Sequence, residues 1–254
     1  MRWPWTRRPV SDLDRIMLGE DLAGRPVFCS AATHTYVLGA TGSGKGSITA
    51  NWLAAQAQYI HDGLVKVSFI DLKWGLEAAM YPPDLLTVTA TDMSQTLELL
   101  RSLRSELADR ASIARGTTRR IDPTPAMPRL LLVIDEAASL NGAGSKKETE
   151  EAMSLLAELL RVGRALGLVV LAMSQNPRMQ ALPVRDLFSQ RIALRLASES
   201  EARMALGDDA VDAGAAPWRI GIRDPGTGYL ADTDTGQVWR FHAPYISDDE
   251  LARL

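Results

Sequence analysis

The stretch Gly39-Ala-Thr-Gly-Ser-Gly-Lys45 has the residue types and spacing of a phosphate-binding loop. Glycines 39, 42 and 44 let the backbone curl, so that the N–H groups of Gly39, Ala40, Thr41, Gly42, Ser43 and Gly44 can converge on an anion. Lys45 adds a full charge for the β- and γ-phosphates of a nucleotide such as ATP, and a helix beginning there adds its positive end. The next residue in such loops is Ser or Thr, whose hydroxyl holds Mg²⁺. Here it is Gly46, with Ser47 one step late. On a regular helix Ser47 is turned by roughly 100° and moved about 1.5 Å from that place. Both Gly46 and Ser47 are candidate nucleotide contacts, and Ser47 is a candidate metal ligand. The expectation is an active ATPase that holds Mg²⁺ through phosphate oxygens, water and a carboxylate, at a higher Mg²⁺ demand than loops with the hydroxyl.

A second group of residues fits the same chemistry. The apolar run Leu130–Ile134 reads as a buried strand and ends in Asp135-Glu136. Two carboxylates at the end of a buried strand are costly unless used. Asp135 suits Mg²⁺, and Glu136 suits the polarisation of an attacking water. Asp71-Leu-Lys73 and Ser174-Gln-Asn-Pro177 also follow apolar runs and would face the same crevice. Asn141 to Lys147 reads as a loop with a basic tip, and Lys146 and Lys147 are candidate phosphate contacts for a nucleic acid. His34 reads as a structural histidine or a contact at the nucleotide site.

Elements must position these groups. Thr35–Leu38 is the strand entering the loop, and a helix runs from about Ser47 to Ile60. Leu64–Ile70 and Leu85–Ala90 read as strands. Asp92 and Gln95 cap a long helix with an apolar stripe of Met93, Leu97, Leu100, Leu103 and Leu107. Its far end carries Arg101, Arg104, Arg110 and Arg115, which suit a helix C-terminus. A helix from about Glu148 to Leu166 separates the strands Leu130–Ile134 and Leu168–Met173. Gln190–Leu196 is a further strand, and Ser198 starts a helix that Gly207 follows. Short strands are expected near Trp218–Ile222, Gly228–Leu230 and Val238–Phe241, and Ser247 starts a terminal helix. Gly and Pro within Ile16–Val27 read as a turn between two short strands. Alternating strands and helices predict an α/β fold with a mostly parallel central sheet flanked by helices.

The 254 residues are 46% hydrophobic and 23% charged, with a net charge of −3. There is no global basic field, so contact with nucleic acid requires a local patch. A single cysteine, Cys29, excludes an internal disulfide and suits a reducing, cytoplasmic compartment, with peripheral attachment to a membrane left open. No apolar run approaches the ~20 residues of a membrane span. Residues 1–15, rich in Trp and Arg at the start, read as a flexible leader, and 16–254 as one domain.

Leu18-Gly-x-Asp-x-x-Gly-x-Pro-Val27, His34, the phosphate loop, Asp71-x-Lys73, Asp135-Glu136, Ser174-Gln-x-Pro177 and Arg191-Ile-Ala-x-Arg195 occur in the order seen in FtsK/SpoIIIE-type DNA translocases, which the chain resembles from about Ile16 onward. The Gly-Lys-Gly-Ser form of the loop is similar to that of the actinobacterial conjugative, TraB-like branch. The resemblance implies a RecA-like P-loop NTPase core, a hexameric ring, ATP hydrolysis between subunits, and duplex DNA in the pore. It implies that Lys45 and the loop amides bind phosphate, Asp135 helps hold Mg²⁺, Glu136 is the catalytic base and Gln175 senses the γ-phosphate. It places Lys146 and Lys147 in a DNA-contacting pore loop. Arg110 or Arg164 would be the trans arginine finger, with Arg191 and Arg195 as competitors. No counterpart of the family's membrane-spanning segment or winged-helix module is seen, which implies a bare motor, targeted by a partner protein or acting without sequence preference. The expected function is an ATP-driven duplex-DNA motor for a plasmid, integrative element or phage. The alternatives are an FtsK-like ATPase that moves protein, and a nucleotide-binding subunit with little hydrolysis.

Overall fold

A computed structural model describes residues 12–175 and 182–254. In chain order the elements are β1 (Arg15–Glu20), β2 (Pro26–Ser30), β3 (Thr35–Leu38), α1 (Lys45–His61), β4 (Val65–Ile70), β5 (Val88–Ala90), α2 (Met93–Ala114), β6 (Arg129–Ile134), α3 (Lys146–Val162), β7 (Leu168–Ser174), β8 (Gln190–Leu194), α4 (Glu199–Leu206), α5 (Asp208–Asp212), β9 (Thr227–Asp232), β10 (Gln237–His242) and α6 (Asp248–Leu251). All ten strands form one sheet, in the order β2-β1-β10-β9-β8-β3-β7-β6-β4-β5. The six strands from β8 to β5 are parallel to their neighbours within that group. The other four add on antiparallel beside β8.

Alternation along the strands feeds two cores, one on each face. In β6, Leu130, Leu132 and Ile134 point to the face covered by α2 and α3, where the stripe Met93, Leu97, Leu100, Leu103 and Leu107 is buried. Leu131 and Val133 point to the other face, where Ile48, Trp52, Leu53 and Tyr59 of α1 pack. A strand covered on both faces has no polar side, which is why β6 and β7 are buried at every position. Each such side chain contributes roughly 1.5–3 kcal/mol.

Four local readings are corrected. Residues 12–15, expected in a leader, belong to the fold: Leu13 is buried, and Asp14 pairs with Arg129 and Arg120. Residues 1–11 lie outside the described residues. The strand expected at Leu85–Ala90 is shortened to β5, because Pro82 and Pro83 start a 3₁₀ turn over Pro83–Leu85. Near Trp218–Ile222 there is a 3₁₀ turn, Pro217–Arg219, in place of a strand. Lys146 and Lys147 do not tip a loop. They open α3, because Ser145 and Glu148 form a capping box in which each side chain accepts the other's backbone N–H.

Candidate nucleotide site

Parallel strands deliver their C-terminal ends to one edge of the sheet, where ligands of such folds bind. β3 delivers the loop Gly39–Gly44, β4 Asp71, β6 Asp135 and Glu136, β7 Ser174 and Gln175, and β8 Arg195. The tight loop has two steric requirements. Gly44 has φ 99°, and a Cβ there would lie 2.4 Å from the Gly226 nitrogen. A Cβ on Gly39 would lie 2.4 Å from Ser43 Oγ. The Gly226 N–H in turn donates to the Ser43 carbonyl at 2.8 Å, so the turn before β9 braces the loop.

Lys45 curls back over this loop and donates to the Gly39 carbonyl at 2.7 Å and the Ala40 carbonyl at 3.3 Å. Burial lowers its pKa. Glu136 and Asp135 oppose that shift, whereas Lys73 and Arg195 add to it. Thr41 Oγ1 donates to Gln175 Oε1 at 2.8 Å, which ties the end of β7 to the loop. Arg195 Nη2 donates to the Thr41 carbonyl at 2.9 Å. Arg195 thus serves its own loop in cis, a role that does not fit an arginine finger. Gln175 is bonded to the loop through Thr41, while Pro177 lies outside the described residues.

Glu136 is held by one oxygen. Oε1 accepts from Ser174 Oγ at 3.0 Å and from the Gln175 N–H at 3.2 Å. Oε2 is buried and has no hydrogen-bond partner among the described residues. Asp135 accepts from Lys73 Nζ at 2.8 Å. Burial works against the Lys73 charge, but the bond and charge of Asp135 outweigh it and raise its pKa. The motif Asp71-x-Lys73 therefore splits into two jobs. Lys73 neutralises Asp135. Asp71, fully buried, accepts from the N–H groups of Lys73, Glu77 and Ala78 and folds residues 71–78 around itself. The motif at a strand end was visible in the sequence, whereas Glu77 in the following loop carried no signal.

One expected site residue is displaced, and of the two readings of His34 the structural one holds. Arg110 is buried, with Nε on Glu106 at 2.9 Å and Nη1 on the Leu166 carbonyl at 3.1 Å. A guanidinium covered by its own chain does not reach a neighbour's phosphates, so Arg110 does not fit the role of an arginine finger. His34 lies at the opposite end of β3 from the loop, buried between the Leu160 carbonyl and the Val170 N–H, and touches no nucleotide site. Arg164, half exposed, pairs with Asp234 at 3.2 Å. Arg191 bonds the Phe188 carbonyl and Asp186. Lys146 and Lys147 are exposed.

A glycine loop with its lysine at the edge of a parallel sheet, faced by a strand-end Asp-Glu pair, defines the class: a P-loop NTPase. Within that class, the FtsK/SpoIIIE family model matches residues 5–223, and the chain belongs to this family. The DNA translocase FtsK of Helicobacter pylori is 27% identical over 256 residues, which cover 94% of this chain and 29% of that protein. The chain therefore spans about three tenths of that relative's length. The cytoplasmic domain of the type VII secretion ATPase EccC of Thermomonospora curvata superposes with a TM-score of 0.76 at 26% identity, covering 98% of this chain and 32% of that solved chain. The pCW3 conjugation coupling protein TcpA, solved as a monomer with ATPγS, gives 0.76 at 18% identity, covering 97% and 69%. That last likeness speaks to the fold alone. Among the described residues no helix is long and apolar enough to cross a membrane.

Proposed function

We propose that the chain is the motor of an ATP-driven duplex-DNA translocase, working as a homo-oligomeric ring, a hexamer by family, in DNA transfer by a plasmid, integrative element or phage. The observation that carries hydrolysis is Glu136. One carboxylate oxygen is fixed by Ser174 and the Gln175 N–H, and the other is a buried acceptor with no partner among the described residues. That second oxygen suits the proton of an attacking water. Lys45 and the amides of residues 39–44 bind the phosphates, and Gln175, tied to Thr41, senses the γ-phosphate. Asp135 fits a divalent cation: it stands at the strand end, partly exposed, ion-paired to Lys73 and within the field of Lys45. Mg²⁺ bound with the nucleotide neutralises charge on the phosphates. Arg164 is the remaining finger candidate of the pair first considered. The relatives named DNA translocases and the exposed Lys146-Lys147 pair favour DNA.

A second reading, transport of protein by the same motor, is favoured by the similarity to EccC, a component of a secretion system. Steady-state ATP turnover with and without long duplex DNA separates the readings. Stimulation by DNA is expected, and its absence at low salt turns the choice toward protein. Glu136→Gln should retain ATP binding and lose turnover by about 10²-fold or more. Lys45→Ala should lose both. A parent that binds ATP but never turns it over would leave a nucleotide-binding subunit.

A further inference from the structure

Position 46 breaks the loop motif, and one group stands beside it. A Cβ built on Gly46 would lie 3.3 Å from Oε1 of Glu77, with nothing else of the described residues within 4 Å beyond its own helix and chain neighbours. The side of the helix where other loops carry a hydroxyl is thus faced by a carboxylate. Its placement is built in. The Glu77 N–H donates to Asp71 Oδ2 at 2.8 Å, and Asp71 is fully buried at the end of β4. Glu77 is partly buried, and burial followed by the charges of Asp135 and Asp71 raises its carboxyl pKa. Lys73 is the cation that offsets this field, and it is already bonded to Asp135. A second feature points into the same place. The Tyr81 hydroxyl is buried with no hydrogen bond of good geometry among the described residues. After burial, the charge of Glu77, then that of Asp135, and a side-chain contact with Glu77 act on it.

We infer that Glu77 supplies the oxygen that Gly46 withholds, so that its carboxylate contacts the divalent cation of the bound nucleotide, directly or through one water. This rests on the nucleotide reading of the site. Hard divalent cations take oxygen ligands, and a carboxylate replaces a hydroxyl with a charged donor. Tyr81, whose hydroxyl already acts on the Glu77 side chain, is placed to hold that carboxylate or a cation-bound water through its O–H. Contrary to the expectation from the loop alone, the Mg²⁺ demand is then ordinary, because no ligand is missing. Gly46 follows from the same contact: a Ser side chain there would crowd the Glu77 oxygen.

The test is binding of a fluorescent, non-hydrolysable ATP analogue to the full chain, titrated with free Mg²⁺ and repeated in EDTA. Glu77→Gln, which keeps the shape and loses the charge, should raise the Mg²⁺ midpoint about tenfold or more, the scale on which groups around a metal change its affinity. Its binding in EDTA should match the parent's. Gly46→Ser combined with Glu77→Gln should recover most of the loss. Gly46→Ser alone should move the midpoint less than about threefold. A Glu77→Gln titration that overlays the parent's overturns the inference. So does a tenfold gain from Gly46→Ser alone, which would mean the parent lacks a ligand, and this second outcome needs no Glu77 variant to fold. A parent that binds no analogue at any Mg²⁺ concentration would instead overturn the nucleotide reading.

Discussion

His34 is held by both ring nitrogens. The Val170 N–H donates to Nδ1 at 3.0 Å, so the ring proton is on Nε2, 3.1 Å from the Leu160 carbonyl. A second proton would face an N–H donor. Burial, with the Arg164 charge in support, pushes the His34 pKa down from 6.5 to about 4. The unfolded chain takes up this proton as pH falls through 6.5, and the folded chain does so only near 4. The neutral ring therefore contributes stability that is full above pH 6.5 and is lost as pH falls toward 4, about 3 kcal/mol in all. Urea unfolding at pH 7 and pH 4 checks this. His34→Gln should be less stable than the parent at pH 7, yet lose about 3 kcal/mol less on acidification. Equal losses in the two proteins would show that His34 is not the group responsible. The same ring explains why proximity in sequence misleads: one strand of four residues separates it from the phosphate loop, and that strand runs from one edge of the sheet to the other.

At the scale of elements, α3 sets an electrostatic conflict. Its capping box and Glu148 suit a helix N-terminus, but Lys146 and Lys147 place two positive charges where the macrodipole is already positive. Among the described residues Lys146 finds only a long pair to Glu150, at 3.8 Å, and stays solvated. Such lysines cost stability by roughly 0.3–1 kcal/mol each, which is understandable if they meet phosphate. Replacing both with Glu should hold or raise the melting temperature while abolishing DNA stimulation of ATPase activity. It should also reduce the salt slope of DNA binding by about 2. A melting temperature that holds together with unchanged DNA stimulation would mean that the first turn of α3 is only a solvated surface.

For the whole molecule, the site loops share one edge of the sheet, and in the ring proposed above a neighbour would face that edge. If an arginine such as Arg164 completes the site from outside, activity belongs to the assembly. ATPase rate per subunit should then rise with protein concentration. Mixing Glu136→Gln subunits into the parent at constant total concentration should depress the rate faster than in proportion. A strictly proportional fall, with a rate per subunit independent of concentration, would show that each chain works alone.

Much of this was legible in the sequence because it is local. Glycine spacing sets the loop's backbone, an all-apolar run sets a strand buried on both faces, and the apolar stripe of α2 repeats at helical spacing. Hence the α/β class, the loop Gly39–Lys45 and the Asp135-Glu136 pair could be named before any coordinates. What the tertiary structure decided depends on contacts between residues far apart in the chain. Arg110 reads as a basic helix end until the fold covers it with the Leu166 carbonyl and Glu106 of its own chain. Arg195 was one of several arginines until β8 was seen beside β3, which brings it to Thr41, 154 positions away. Glu77 had no pattern around it at all, because its position comes from folding a loop around the buried Asp71 carboxylate, and only that packing sets it against Gly46.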